Sequence, residues 1–129
     1  MKVLIADDSR AVRERMKMLL AEVRAVKIIE EAENVQQAID RVKELVPDIV
    51  ILDMRMPGGS GIDVMQQIEK KNHLPLIIML TNFSHPVHKR KCMEAGADYF
   101  FDKSAEFERV IDILKSAVDR PNDDPLTCS

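Results

Sequence analysis

A chain of 129 residues suits one domain and leaves no room for two ordinary ones. Its 46% hydrophobic and 32% charged residues exclude wholesale disorder and call for a packed core under a solvated surface. A net charge of −3 excludes both a strongly basic nucleic-acid-binding surface and a polybasic membrane anchor.

The chain opens with Met1-Lys-Val-Leu-Ile-Ala-Asp-Asp8, an apolar stretch too short for a secretory leader. No apolar run approaches the length of a membrane span, so a cytoplasmic protein is expected. In chain order, short apolar runs then alternate with longer amphipathic ones. Val3–Ala6 predicts the first strand. Val12, Met16, Leu19, Leu20 and Val23 follow at helical spacing. Ile28–Ile29 with their flanks predict a second strand. Val35, Ala38, Ile39, Val42 and Leu45 predict a second helix, stopped by Pro47. Ile49–Leu52 and Leu76–Leu80 show no polar alternation, as befits strands covered on both faces of a parallel sheet. Ile62, Met65 and Ile68 mark a helix between them. The segment 86–95 carries no clean apolar stripe and is the weakest predicted helix. Ala97–Phe101 predicts a fifth strand, and Phe107, Val110, Ile111, Leu114 and Val118 a last helix. This alternation predicts an α/β domain, a parallel sheet between helices with right-handed crossovers. Residues 1–119 are expected to form that domain. The tail 120–129, with two prolines and no period, is expected to fray and to carry no output domain.

Ligands of open parallel sheets collect at the carboxyl ends of the strands. Asp7 and Asp8 follow the first strand, Asp53 the third, Thr81 the fourth and Lys103 the fifth. Asp8 or Ser9 has an ordinary alternative use as the cap of the next helix. Asp53 has none, because Met54–Ser60 separates it from the next helix and Ser60 is the better cap there. Clustered carboxylates repel, and without a cation at least one pKa must rise. Mg²⁺ removes that penalty, taking oxygen ligands while keeping several waters. With the ion in place a carboxylate can attack phosphorus, Lys103 can neutralise charge, and Thr81 can donate to a phosphoryl oxygen.

Asp7-Asp8, Leu52-Asp53-Met-Arg-Met-Pro57-Gly58 with Gly61, Leu80-Thr81, and Gly96-Ala-Asp-Tyr-Phe-Phe-Asp-Lys103 resemble the receiver domain of two-component response regulators (stand-alone and CheY-like). The resemblance runs from about Lys2 to the last helix. It implies a flavodoxin-like three-layer (βα)5 sandwich with a parallel five-stranded sheet in the order 2-1-3-4-5. It also implies a phosphoprotein in phosphorelay signal transduction. Asp53 would accept the phosphoryl group from a histidine kinase, a phosphotransfer protein or a small phosphodonor. Mg²⁺ would be held by Asp8 and Asp53, by the main-chain carbonyl of Arg55, and by Asp7 in a supporting role. Thr81 and Lys103 would contact the phosphoryl group, and Thr81 and Phe100 would switch. An output protein would be controlled through the fourth helix, fifth strand and fifth helix, with no direct contact to nucleic acid or membrane. The family spacing selects Phe100. The alternation of strand residues says only that it faces away from Tyr99 and Phe101.

Two departures stand out. Ser104 occupies the place where the family usually carries a proline after the lysine, often joined by a cis bond. Asn82, followed by Phe83, occupies a place usually taken by a very small residue; its bulk is expected to narrow water's access to an acyl phosphate and slow its loss. A competing class is a Mg²⁺-dependent phosphohydrolase with an aspartyl-phosphate intermediate, of haloacid-dehalogenase type. Those enzymes carry a second Asp two residues after the nucleophile, where Arg55 stands here, so a signalling module rather than an enzyme is expected. A flavin carrier is disfavoured, since Asp7 and Asp8 would repel a flavin phosphate. His85 with His88 lacks a third metal ligand, and His88–Lys91 is a short solvated basic face. Gly58–Gly61 reads as a turn, Cys92 and Cys128 as reduced thiols, and the eight methionines mostly as core.

Overall fold

The computed structural model describes residues 1–68, 75–82 and 85–119. The tail 120–129, Phe83 and Cys128 lie outside the described residues, as does the side chain of Val118. The elements are β1 (Lys2–Ala6), α1 (Arg10–Leu20), β2 (Ile28–Ala32), α2 (Val35–Leu45), β3 (Ile49–Leu52), β4 (Arg55–Met56), β5 (Gly59–Ser60), α3 (Gly61–Ile68), β6 (Leu76–Thr81), α4 (Pro86–Glu94), β7 (Tyr99–Asp102) and α5 (Arg109–Asp119). Five strands form one parallel sheet in the order β2-β1-β3-β6-β7, the order 2-1-3-4-5 once the small β4–β5 hairpin is set aside.

The sheet divides the core in two because successive strand residues point to opposite faces. Leu4, Ala6, Val50, Leu52, Ile77, Met79 and Phe100 join Ala38 and Val42 of α2, Val64, Met65 and Ile68 of α3, and Cys92 of α4. Val3, Ile5, Ile49, Ile51, Ile78, Leu80 and Phe101 join Met16 and Leu20 of α1 and Val110, Ile111 and Leu114 of α5. The faces of Phe100 and Phe101 thus follow the alternation. Tyr99 stacks on Phe101, their ring centroids 5.8 Å apart. Each fully buried aliphatic side chain contributes roughly 1.5–3 kcal/mol. The central β1, β3 and β6 are buried along almost their whole length and fix the strand ends that bear the site.

Local chemistry explains the boundaries. Ser9, not Asp8, caps α1, its hydroxyl accepting from the Val12 N–H at 3.3 Å. Asn34 caps α2 through the Gln37 N–H at 2.7 Å. At α3, Asp63 reaches back to the Ser60 N–H at 2.9 Å, the acidic half of a capping box. The helix α2 ends on Val46, held at φ 49°, a left-handed conformation that costs a residue with a Cβ roughly 1–2 kcal/mol. Val23 lies beyond the end of α1 yet is buried. β7 begins at Tyr99 rather than Ala97, because the Asp98 carboxylate accepts from the Ile77 N–H at 2.8 Å and closes the turn. Among the methionines, Met16, Met54, Met56, Met65 and Met79 are buried, whereas Met18 and Met93 are exposed. α4 is the least anchored helix, with Cys92 its one buried residue. No peptide bond among the described residues is cis, so the Lys103–Ser104 bond is trans.

The β4–β5 hairpin was not legible as strands. Gly58 and Gly59 turn it with φ of 96° and 147°, conformations that favour glycine. Gly61 answers a different need: a Cβ there would stand 2.5 Å from the Asp53 carbonyl oxygen and 3.1 Å from Leu52 Cγ. Its N–H donates to the Met54 carbonyl at 2.7 Å, closing the loop that follows Asp53. Gly61→Ala is expected to lose about 1–3 kcal/mol of stability by overpacking, measurable by urea unfolding. A loss under a few tenths would show that the backbone relaxes freely.

Candidate functional site

β1 and β3 are neighbours, so the residues just past their ends meet. The Asp53 N–H donates to the Ala6 carbonyl at 2.9 Å, and the Asp7 N–H to the Ala32 carbonyl at 2.9 Å. This brings Asp7, Asp8 and Asp53 together, each offering a carboxylate oxygen within 4.8 Å of the others. Asp7 and Asp53 are buried and Asp8 is exposed. β7 delivers Lys103, whose N–H donates to the Thr81 carbonyl at 2.9 Å. Its ammonium lies 2.7 Å from Asp7 Oδ2 and 3.1 Å from Asp53 Oδ2. Asp7 Oδ1 accepts from the Ser9 N–H at 2.8 Å.

Asp53 Oδ1 is buried without a hydrogen bond of ordinary geometry. Such an atom is costly unless something else satisfies it, and an oxygen-seeking cation suits it. Burial pushes the Asp53 carboxyl above its usual range and the negative charge of Asp7 adds to this, while Lys103 and the Met54 amide partly offset both. Burial alone would pull the Lys103 ammonium down. The hydrogen bond to Asp7 and the charges of Asp53 and Asp7 outweigh it and leave the pKa raised. The lysine is thus a fixed positive charge between two acids.

Asp8, Ser9, Asp53, Arg55, Asn82 and Lys103 line an open cleft of about 320 Å³. Arg55 enters it from the first position of β4, and Asn82 from just past β6. Asp7 and Thr81 are buried. Thr81 sits at the end of β6, in register with Asp102 of β7. Phe100 lies in the core cluster that contains Ala6, Leu52 and Cys92. One contact had no sequence signal: Arg13 Nη1 donates to the Asp7 carbonyl at 2.7 Å.

An open parallel sheet of this order, with an acidic triad and a lysine at its carboxyl edge, defines the receiver class of fold. The chain belongs to the response regulator receiver domain family, whose model matches residues 3–115. It is 36% identical over 117 residues to the transcriptional regulatory protein YdfI of Bacillus subtilis, covering 91% of this chain and 54% of that one. It is 32% identical to the chemotaxis protein CheY of Halobacterium salinarum, covering 91% of this chain and 96% of CheY. A DNA-binding response regulator of the LuxR family from Staphylococcus aureus superposes with a TM-score of 0.80 at 27% identity, covering 89% of this chain and 96% of that one. The chain thus spans about half the length of YdfI and nearly all of CheY. Receiver domains are signalling domains that generally bind Mg²⁺ at an acidic pocket and interact with histidine kinases or phosphotransfer proteins. No described helix is long and apolar enough to cross a membrane.

Proposed function

We propose that the chain works as a cytoplasmic response regulator receiver domain, accepting a phosphoryl group on Asp53 in the presence of Mg²⁺. The observation that carries this reading is the buried Oδ1 of Asp53, unpartnered among three carboxylates and a lysine. Asp8 and Asp53, with the Arg55 carbonyl, would hold the ion, and Asp7 would support them. When bound, the ion supplies charge neutralisation and an orienting template for phosphoryl oxygens. A carboxylate oxygen of Asp53 forms the bond to phosphorus as the donor's own bond to phosphorus breaks, leaving an acyl phosphate. Lys103, already between the acids, pairs with the transferred group's charge, and the Thr81 hydroxyl donates to one of its oxygens.

The switch is a population shift. Thr81 is drawn towards the phosphoryl group and Phe100 follows, altering the face made by α4, β7 and α5 through which an output protein is controlled. The single buried residue of α4 makes that helix the cheapest part of the face to move. Beryllofluoride with Mg²⁺, a phosphoryl mimic, tests the reading by amide NMR. Shifts are expected at Thr81, Phe100 and along α4, and none in Asp53→Asn; shifts confined to exposed lysines would contradict it.

Asn82 stands on the wall of the cleft and is exposed. It is expected to shield the acyl phosphate from water. Asn82→Ala should shorten the phosphoryl lifetime severalfold, followed as decay of the adduct mass after donor removal. A longer lifetime would count against shielding.

A further inference from the structure

The ladder between β1 and β2 ends with the pair Ala6–Ala32, and the Asp7 N–H still reaches back to the Ala32 carbonyl at 2.9 Å. The Asp7 carbonyl, on the same side of the strand, would take its next donor from β2, but β2 has stopped. The Arg13 guanidinium supplies it, with Nη1 at 2.7 Å. The guanidinium is itself held, for its Nε donates to Glu31 Oε1 at 2.9 Å. Glu31 Oε2 in turn pairs with Lys17 at 2.9 Å, and Lys17 with Glu14 at 2.9 Å. The Arg13 side chain keeps only 12% of its exposure. This is a braced planar fork, not a loose surface cation.

The carbonyl of Asp7 and the N–H of Asp8 belong to one planar peptide. Fixing that carbonyl fixes the plane from which the Asp8 side chain departs. Asp8 is the exposed member of the acidic triad, whereas Asp7 is locked by Ser9 and Lys103. We infer that Arg13 is a positioning residue for the divalent cation: it holds the Asp7–Asp8 peptide so that the Asp8 carboxylate meets that of Asp53. The inference rests on the proposed metal-dependent function.

Its sign sets it apart from simple electrostatics. A positive charge near a cation site repels the ion, so deleting the arginine should tighten Mg²⁺ binding if charge alone matters. Positioning demands the reverse, and the loss of a supporting partner of a metal ligand typically weakens affinity 10- to 100-fold. The experiment titrates Mg²⁺ into wild type, Arg13→Met and Arg13→Lys, reading Kd from amide shifts, with urea unfolding in EDTA in parallel. Arg13→Met is expected to weaken Mg²⁺ binding about tenfold or more, and Arg13→Lys, with charge but no fork, to fall between. An unchanged or tighter Kd in Arg13→Met overturns the inference, even if the variant is less stable in EDTA. If Arg13→Met does not fold, an unchanged Kd in Arg13→Lys overturns it. Wild type that binds no Mg²⁺ overturns the proposed function as well, a result distinct from binding that ignores Arg13.

Discussion

In EDTA at neutral pH, Lys103→Met is expected to be about 3 kcal/mol less stable than wild type, near the lower end for stripping a buried ion pair of one partner. The lysine bridges Asp7 and Asp53 at 2.7 and 3.1 Å, and its removal leaves two buried carboxylates facing each other. The lower end applies because Asp53, its pKa already raised by burial and by Asp7, can take up a proton instead of keeping its charge. An acid with a raised folded-state pKa contributes stability that is full below its unfolded value and lost as pH rises through the folded one. The deficit of Lys103→Met should therefore shrink towards pH 4 and grow towards neutrality. Saturating Mg²⁺ should recover part of it, since a ligand of the folded state stabilises by mass action. In wild type the raised Lys103 pKa acts at the other extreme: its stabilisation is complete below the ordinary lysine value and fades as pH climbs through the raised one. Urea unfolding across pH, with and without Mg²⁺, checks all three statements. A deficit that does not vary with pH would mean that Lys103 does not stabilise the charged form of either acid.

Asp53→Asn should move stability the other way. The substitution keeps the shape and removes the charge that burial and Asp7 oppose. In EDTA at neutral pH a gain of roughly 1–2 kcal/mol is expected, the size of relieving one partly compensated like-charge contact. By the same linkage the gain should be absent below the ordinary carboxylate pKa and appear as pH rises through the raised value. Mg²⁺ should then stabilise wild type and do little for Asp53→Asn. The ranking of the two proteins would thus narrow or invert as the metal is added. A variant less stable than wild type in EDTA would mean that the Lys103 contact outweighs the repulsion.

How much of this was legible in the sequence depended on whether each residue's use was local. Ile49–Leu52 and Leu76–Leu80 declared themselves because strands covered on both faces need unbroken apolar runs. Asp53 declared itself because it ends such a run with no helix beside it to cap. Asp8 did not, since Asp8 and Ser9 compete for one cap, and only the geometry gives that cap to Ser9. The ends of four of the five sheet strands could be read to within two residues, whereas β2 runs three residues past Ile29. The start of β7 was displaced because the Asp98 side chain, not the apolar pattern, closes its turn. Val46 in a left-handed conformation, with φ of 49°, runs against the preference of a β-branched residue and has no signature in the sequence. The grip of Arg13 on the Asp7 carbonyl had no sequence signature, because it depends on β2 stopping where it does. The orphaned oxygen of Asp53 is likewise a property of the assembled pocket alone.

The central claim is that Asp53 is the acceptor, and the most direct measurement finds the phosphoryl group itself. Wild type and Asp53→Asn are incubated with acetyl phosphate and Mg²⁺, weighed intact, and a second sample is reduced with borohydride to trap any acyl phosphate for peptide mapping. A single phosphoryl adduct is expected on wild type, trapped at Asp53, absent from Asp53→Asn and absent when EDTA replaces Mg²⁺. An adduct of equal yield on Asp53→Asn, or one that forms in EDTA, would contradict the account.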